Sequence, residues 1–403
     1  MTAAEEERKK KLSKGKKIKI ITAIVCISFT QGLQYSVSPV LGQIQNHFPE
    51  VNVSLIQMLI TGPALLAMAV AILSGWLVVK ISKKKLLIFG SLVAGITGFV
   101  PFLSDSFALL FICRILFGIG LGLATALNTA VVAEFFQGEE RVSVMGIQAA
   151  SVGAGMVVIT TLGGILGKFG FANAYATHTI GFIAMILIAA MLPETGTAKT
   201  SGTEKIRLNR KVFQISLLGF LEFLFLITFT TNIAMHISGA LGGDTGVSGT
   251  LTGIFSGAQI VMGMVLGRIT RVTKSGTLPA AMASFAVGAA ILVVFPDQFV
   301  MLMAGAVFCG FSQGMFIPTA MVEVANAVPP VATAMASACF TCFMCIGQMI
   351  SPAVLNTLSG VIFKDVTTGH VYIIAAAGMA VSAALAAVIK TGQANKQPVL
   401  PKE

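Results

Sequence analysis

The sequence predicts an all-α membrane protein made of two related six-helix bundles about a pseudo-twofold axis. Three observations predict it. Of 403 residues, 55% are hydrophobic and 11% charged, whereas soluble domains carry about 25% charged residues; the mean hydropathy is +0.89. The chain divides into twelve apolar stretches near the roughly 20 residues that cross a bilayer as a helix. Landmarks also recur at one offset: Gly118 and Gly122 return 192 residues later as Gly310 and Gly314, Gly75 as Gly267, and Gly155 as Gly347. One shift shared by three helices marks an internal repeat.

The charge is one-sided. There are 27 Lys and Arg against 16 Asp and Glu, a net charge of +11. With the N-terminus in the cytoplasm, all the basic residues except Lys168, Lys364 and Arg114 fall in cytoplasmic segments. This asymmetry places both termini inside. The basic run over residues 8–19 suits the anionic headgroups of a lipid bilayer. No folded nucleic-acid-binding module accompanies it, so nucleic acid is not an expected partner. Short loops and a compact chain point to a bacterial inner membrane.

Residues 1–16 read as a basic cytoplasmic tail. Span 1 (17–42) is too long for a cleaved signal peptide, and apolar chain follows it. The loop 43–53 has no Lys or Arg, as an outside loop should. Ser54-Leu-Ile-Gln57 reads as a capping box opening span 2 (54–79), with Pro63 as a kink. A basic turn leads to span 3 (86–103), then spans 4 (107–133), 5 (142–167) and 6 (173–192). The first bundle is therefore 17–192. Residues 193–211, rich in Gly, Ser, Thr and basic side chains, form a cytoplasmic linker. Spans 7 (212–238), 8 (248–270), 9 (276–296), 10 (299–325), 11 (331–360) and 12 (370–390) make the second bundle, 212–390. A cytoplasmic tail, 391–403, ends the chain.

Polar groups inside these spans are the candidate site. Hydrocarbon penalises an arginine by at least a few kcal/mol, so Arg114 should face protein or water; Gly118 and Gly122 after it allow close helix approach. Glu222 is the acidic residue well inside a span. Helical steps put Glu222, Phe225, Phe229, Asn232 and His236 within about an 80° arc, a stripe suited to a cavity wall. A carboxyl there can carry a proton; the alternative is a hydrogen bond to a neighbouring helix. His236, near the outer end, reads as solvated. Gln31, Gln34, Tyr35 and Ser38 share one face of span 1, and Arg114, Gly118, Thr125 and Asn128 one face of span 4; each lines a pathway or bonds helices together. Gln148, Gln259, Gln313 and Gln348 are buried amides that together suit a hydrogen-bonding substrate. Gly155, Pro318, Gly347 and Pro352 are positions for packing and bending during a conformational change. Glu134 and Glu323, at the ends of spans 4 and 10, read as solvated or gate-forming. Trp76 reads as an interfacial anchor. All six cysteines lie in apolar spans and read as packing residues, without a disulfide framework or metal site. Neither His-Glu-x-x-His nor Gly-x-x-x-x-Gly-Lys occurs, so neither an enzyme nor an ATP-driven pump is expected, and no cofactor.

Six helices, a basic linker and six more helices resemble the major facilitator superfamily. Gly75-Trp-Leu-Val-Val79-Lys80-Ile-Ser82-Lys83-Lys84 resembles its signature loop, with Gly75, Lys80 and the Lys83-Lys84 pair matching, and Val79 and Ser82 replacing the acidic residue and the second glycine. Arg114 with Gly118 and Gly122 resembles its span 4 motif, whose arginine is associated with proton coupling. In span 5, Ile159-Thr160 replaces the Gly-Pro of many drug–proton antiporters. The resemblance implies spans 1, 4, 7 and 10 around a central cavity, and a monomeric secondary transporter that moves a small organic solute by alternating access. Proton coupling through Glu222 and Arg114 is expected, with export of amphipathic compounds slightly ahead. An organic-anion (carboxylate) porter or an uncoupled facilitator is the alternative, and a non-transporting receptor or scaffold a remote one.

Overall fold

The computed structural model describes residues 13–103, 105–195, 208–240, 244–328 and 333–394. Most of both expected tails and of the linker, and the start of span 11, lie outside them. Twelve helical elements follow in order: α1 (Lys14–His47), α2 (Val53–Lys80), α3 (Lys83–Phe99), α4 (Phe107–Phe135), α5 (Gly138–Gly167), α6 (Phe171–Met191), α7 (Arg210–Ile237), α8 (Thr245–Thr273), α9 (Thr277–Val294), α10 (Phe299–Asn326), α11 (Thr333–Phe363) and α12 (Thr368–Ala394). Eleven are long and apolar enough to cross a membrane. The exception, α3, has 17 residues and continues into a 3-10 turn over Val100–Phe102.

Local chemistry explains the breaks and ends. α1 is interrupted by 3-10 turns at Leu33–Tyr35 and Ser38–Val40, next to Pro39. α2 divides at Gly62, because Pro63 has no N–H to give to the Leu59 carbonyl. The cap of α2 is Asn52 and not Ser54: the Asn52 side chain accepts from the Ser54 N–H at 2.8 Å. A short Asn side chain reaches the donor two residues on, so the helix starts two residues earlier than the capping-box reading gave. Asp244 caps α8 in the same way, accepting from the Gly246 N–H at 2.7 Å. Asn52 and Asp244 are 192 residues apart.

Helix neighbours repeat too. In the first half α2 packs on α4, α4 on α3, α3 on α6, α6 on α1 and α1 on α5; in the second, α8 packs on α10, α10 on α9, α9 on α12, α12 on α7 and α7 on α11. Each element is replaced by the one six later. The halves meet where α5 lies on α8 and α2 on α11. α1 also touches α7, where the Ser38 hydroxyl donates to the Thr230 carbonyl. Ser38 and Thr230 are repeat equivalents, 192 positions apart. A residue that touches its own equivalent lies on the twofold axis.

Candidate functional site

The halves close at the end away from the start of α1. An apolar cluster there mixes Val40, Ile44 and Ile60 of the first half with Ile227 and Ala234 of α7. Hydrogen bonds cross the same level. Gln57 of α2 donates to Asn232 Oδ1 at 2.7 Å and accepts from Asn356 Nδ2 of α11 at 2.8 Å. Asn356 Nδ2 also reaches the Ser54 hydroxyl at 2.9 Å, and that hydroxyl donates to the Pro352 carbonyl at 3.4 Å. On the other flank Thr245 donates to the Gly164 carbonyl at 2.9 Å, and Gly164 lies against Gly249 without room for a side chain on either. Lys168 and Asp244 form an exposed ion pair at 3.5 Å beside them.

Toward the termini the halves part. A side chain at Gly75 of α2, Gly146 of α5, or Gly257, Gly263 and Gly267 of α8 would meet nothing within 4 Å. Met145 and Ile147 of α5 and Met264 of α8 are exposed there. Closure of α5 on α8 reaches down to Gly153 against Ile260. The charges on the open side pair within halves: Lys83 with Glu134 at 2.7 Å, Lys17 with Glu140, and Lys390 with Glu323. Lys80 lies over the exposed Trp76 ring, 4.2 Å from its centre.

Arg114 is 1% exposed. Its Nε donates to the Leu59 carbonyl at 2.7 Å, the carbonyl that Pro63 leaves without a helical donor. Nη2 donates to the Gln34 carbonyl at 2.5 Å, and Nη1 lies 3.4 Å from the Leu33 carbonyl, both at the break in α1. Nη1 also meets His178 Nε2 at 3.4 Å. His178 Nδ1 lies 2.8 Å from the Ala94 carbonyl, so it carries the proton and Nε2 accepts. The guanidinium thus binds α1, α2 and α6 to α4. Beneath it Gly118 and Gly122 pack on Pro63 and Ala67 of α2. Asn128 donates to the Ser28 hydroxyl at 2.9 Å, again α4 to α1.

The α7 stripe does not form one wall. Glu222 is fully buried and accepts from the Ser312 hydroxyl of α10 at 2.7 Å, while its second oxygen has no partner. Phe225 packs on Gly378 of α12, in an apolar groove of about 620 Å³ between α7, α11 and α12. Phe229 stacks on Phe255 of α8 at 4.8 Å inside the second half. Asn232 belongs to the closed-end network. His236 is buried and not solvated: its ring nitrogens lie 2.9 Å from the Thr368 hydroxyl and 3.1 Å from the Leu292 carbonyl. Those partners come from α12 and the end of α9, which fold over the C-terminal end of α7.

Of the remaining amides, Gln34 donates to the Ile60 carbonyl at 3.3 Å and Gln148 to Thr129 at 3.2 Å. Gln31 is half-buried, and Tyr35 is 8% exposed at the α1 break. Gln259, Gln313 and Gln348 carry buried polar atoms without a partner. Gly155 packs on Phe29 of α1 and Gly347 on Phe220 of α7; Pro318 and Pro352 lie inside α10 and α11. Sequence reasoning missed His178, Gln57, Asn356 and Ser312. A histidine in an apolar span, with His370 at the 192 offset, was the visible signal for the first.

The sequence matches the Major Facilitator Superfamily over residues 20–217 and 215–402. The chain belongs to that family. Solved transporters share its fold at low identity. The peptide transporter PepTSo superposes with a TM-score of 0.77 at 10% identity, over 94% of this chain and 99% of that one. The nucleoside transporter NupG gives 0.77 at 13%, over 92% and 99%. A bacterial homologue of the human lysosomal transporter Spinster, inward-facing and unoccupied, gives 0.70 at 14%, over 94% and 96%. Among curated proteins, the riboflavin transporter RibZ of Clostridioides difficile (strain 630) is 28% identical over 178 residues; the match spans 43% of this chain and 39% of that protein. Membership makes this a multi-pass membrane protein of a transporter family and points to a transporter rather than an enzyme. Gly310-Phe-Ser312-Gln313-Gly314 does spell the Gly-x-Ser-x-Gly of serine hydrolases. Ser312, however, lies mid-helix in α10 and bonds Glu222, not on a strand-to-helix turn.

Proposed function

We propose that the protein is a proton-linked secondary transporter that works by alternating access from a bacterial inner membrane. The one-sided basic charge supports placing the open end and both termini in the cytoplasm, so the arrangement described is inward-open. The observation that carries the reading is the contrast between the two ends: hydrogen-bonded, apolar closure at one and separated helices at the other, with two repeats able to rock about the level between them. The solute site lies at that level, facing Gln31 and Tyr35 of α1 and the amides of the second half.

Glu222 is the proposed proton carrier. Burying an unpaired carboxylate costs far more than burying the neutral acid, and Ser312 is its hydrogen-bond partner here. Reorganisation of α7 against α10 exposes or seals that proton. Arg114 keeps the α1 and α2 breaks in place through the cycle. Its loss acts on folding and on both directions of transport alike.

The partial match to RibZ makes riboflavin the first probe of transport. Export of amphipathic compounds is the second reading, favoured by the half-buried Cys342, Met344, Cys345 and Met349 along α11, soft groups that adapt to varied ligands. The test is reconstitution in liposomes with riboflavin. Counterflow is expected in wild type, and accumulation on imposing a pH gradient. Glu222→Gln is expected to keep counterflow and lose gradient-driven accumulation by tenfold or more. Accumulation at the wild-type level in Glu222→Gln would remove proton coupling through this residue. The direction of the driving gradient separates uptake from export.

A further inference from the structure

We propose that Gln259, Gln313 and Gln348 form an uncharged recognition site for a neutral solute bearing N–H or O–H donors beside a carbonyl, as in an amide, ureide or imide edge. This rests on the transporter reading above. Gln259 Oε1, Gln313 Oε1 and Gln348 Nε2 are buried without a hydrogen-bond partner, and the latter two side chains are 6% and 5% exposed. A buried amide left unpaired costs about 1–3 kcal/mol, and three of them in one half need an explanation in water or ligand.

They share a depth. The Gln259 backbone lies beside Gly314, the neighbour of Gln313. Ser312, on its other side, bonds Glu222 of α7, and Gly347, the neighbour of Gln348, packs on Phe220 of the same helix. α8, α10 and α11 therefore bring the three amides to one level. It is the level at which α5 and α8 separate, just past Gly153 and Ile260.

Two prolines add acceptors there. Pro318 and Pro352 have no N–H to return to the carbonyls four residues earlier, those of Gly314 and Gln348. Acceptors thus outnumber donors, which suits a ligand rich in N–H or O–H groups. Charge is missing from the set. Arg114 is turned onto backbone carbonyls and Glu222 onto Ser312, and both are withdrawn from solvent. Among the described residues an anion finds no free cation at this depth, and the one carboxyl there, Glu222, is fully buried against Ser312. A site built from buried polar groups also rejects ligands that leave those groups unpaired.

The test uses the full chain in nanodiscs, with binding read by fluorescence quenching and isothermal titration. The probes are riboflavin and uridine as neutral imides, riboflavin 5′-phosphate as the charged counterpart of the first, and benzoate as a plain anion. At least one neutral imide should bind, and riboflavin 5′-phosphate should bind at least tenfold more weakly than riboflavin. Gln259→Leu, Gln313→Leu and Gln348→Leu should each weaken the neutral probe tenfold or more while keeping or raising the thermal midpoint, because an unpaired amide is removed. Failure of both neutral probes to bind overturns the proposal. So does tighter binding of either anion, or wild-type affinity in all three leucine variants; the last is the result if water alone satisfies the amides. Transport of another compound by those variants would leave the transporter reading standing while the amide site falls.

Discussion

Two seams close the end away from the termini, and the repeat makes them equivalent. Gln57 on α2 corresponds to Gly249 on α8, and Asn356 on α11 to Gly164 on α5, each pair 192 residues apart. One seam brings glycine against glycine and leaves no room for a side chain. The other holds an amide against an amide, at 2.8 Å, with Asn232 and Ser54 attached. The same pseudo-symmetric position thus carries two chemistries. The glycine seam is set by shape and yields only if the helices part. The amide seam is set by hydrogen bonds that water can replace, so it separates with little loss. A transporter needs both properties, since closure must be tight and yet reversible.

Substitutions break or sharpen this contrast in a definite order. The largest effect is expected from Gly164→Leu. Its Cβ would meet the Thr245 carbonyl and the Gly249 Cα, backbone that cannot swing aside. A penalty of about 3 kcal/mol on closure corresponds to roughly a 100-fold shift toward an arrangement open at this end. Spin-label distances across the closed ends of α5 and α8 would report it as a longer population replacing the shorter one; an unchanged distribution would show that the seam tolerates bulk.

Gln57→Ala should act less strongly. It leaves Asn232 Oδ1 unpaired and one Asn356 donor without its partner, about 1–2 kcal/mol and roughly a tenfold shift. The same distances measured across α2 and α11 check it. Replacing both Gln57 and Asn356 by leucine should recover much of the closure, since two apolar groups leave less to satisfy. No recovery would mean that the amides act through geometry beyond their own pair.

The smallest change is expected for Asp244→Asn. It removes the exposed ion pair with Lys168, worth under about 1 kcal/mol, and keeps a helix cap of the kind Asn52 provides in the other repeat. Thermal midpoint and spin-label distances should both stay close to wild type. A large loss would place the control of the glycine seam in this ion pair.

Much of the architecture was legible in the sequence because hydropathy, the 192-residue offset and the basic loops each report on long stretches of chain. The site was legible in part. That Arg114 must face protein followed from its charge in an apolar span. That it faces the Leu59 carbonyl follows from Pro63, 51 positions earlier, and only the packing of α4 on α2 brings the two together. The α7 stripe shows the limit of periodicity. Glu222, Phe225, Phe229 and Asn232 do share an arc, but an arc does not say which neighbour it meets at each depth. Here the neighbours change from α10 to α12 to α8 to α2. His236 was misread for the same reason, because its distance from the chain's outer turn said nothing of the α9 and α12 ends that cover it.

The contact of Ser38 with Thr230 has a meaning beyond closure. In an assembly of two identical chains, only a position on the symmetry axis meets its own copy. This single polypeptide keeps that meeting point, and keeps the same order of helix neighbours on either side of it. Its architecture is that of two six-helix units about a twofold axis carried in one chain. One chain lets the two units differ in their side chains, and the glycines of one seam and the amides of the other are such a difference.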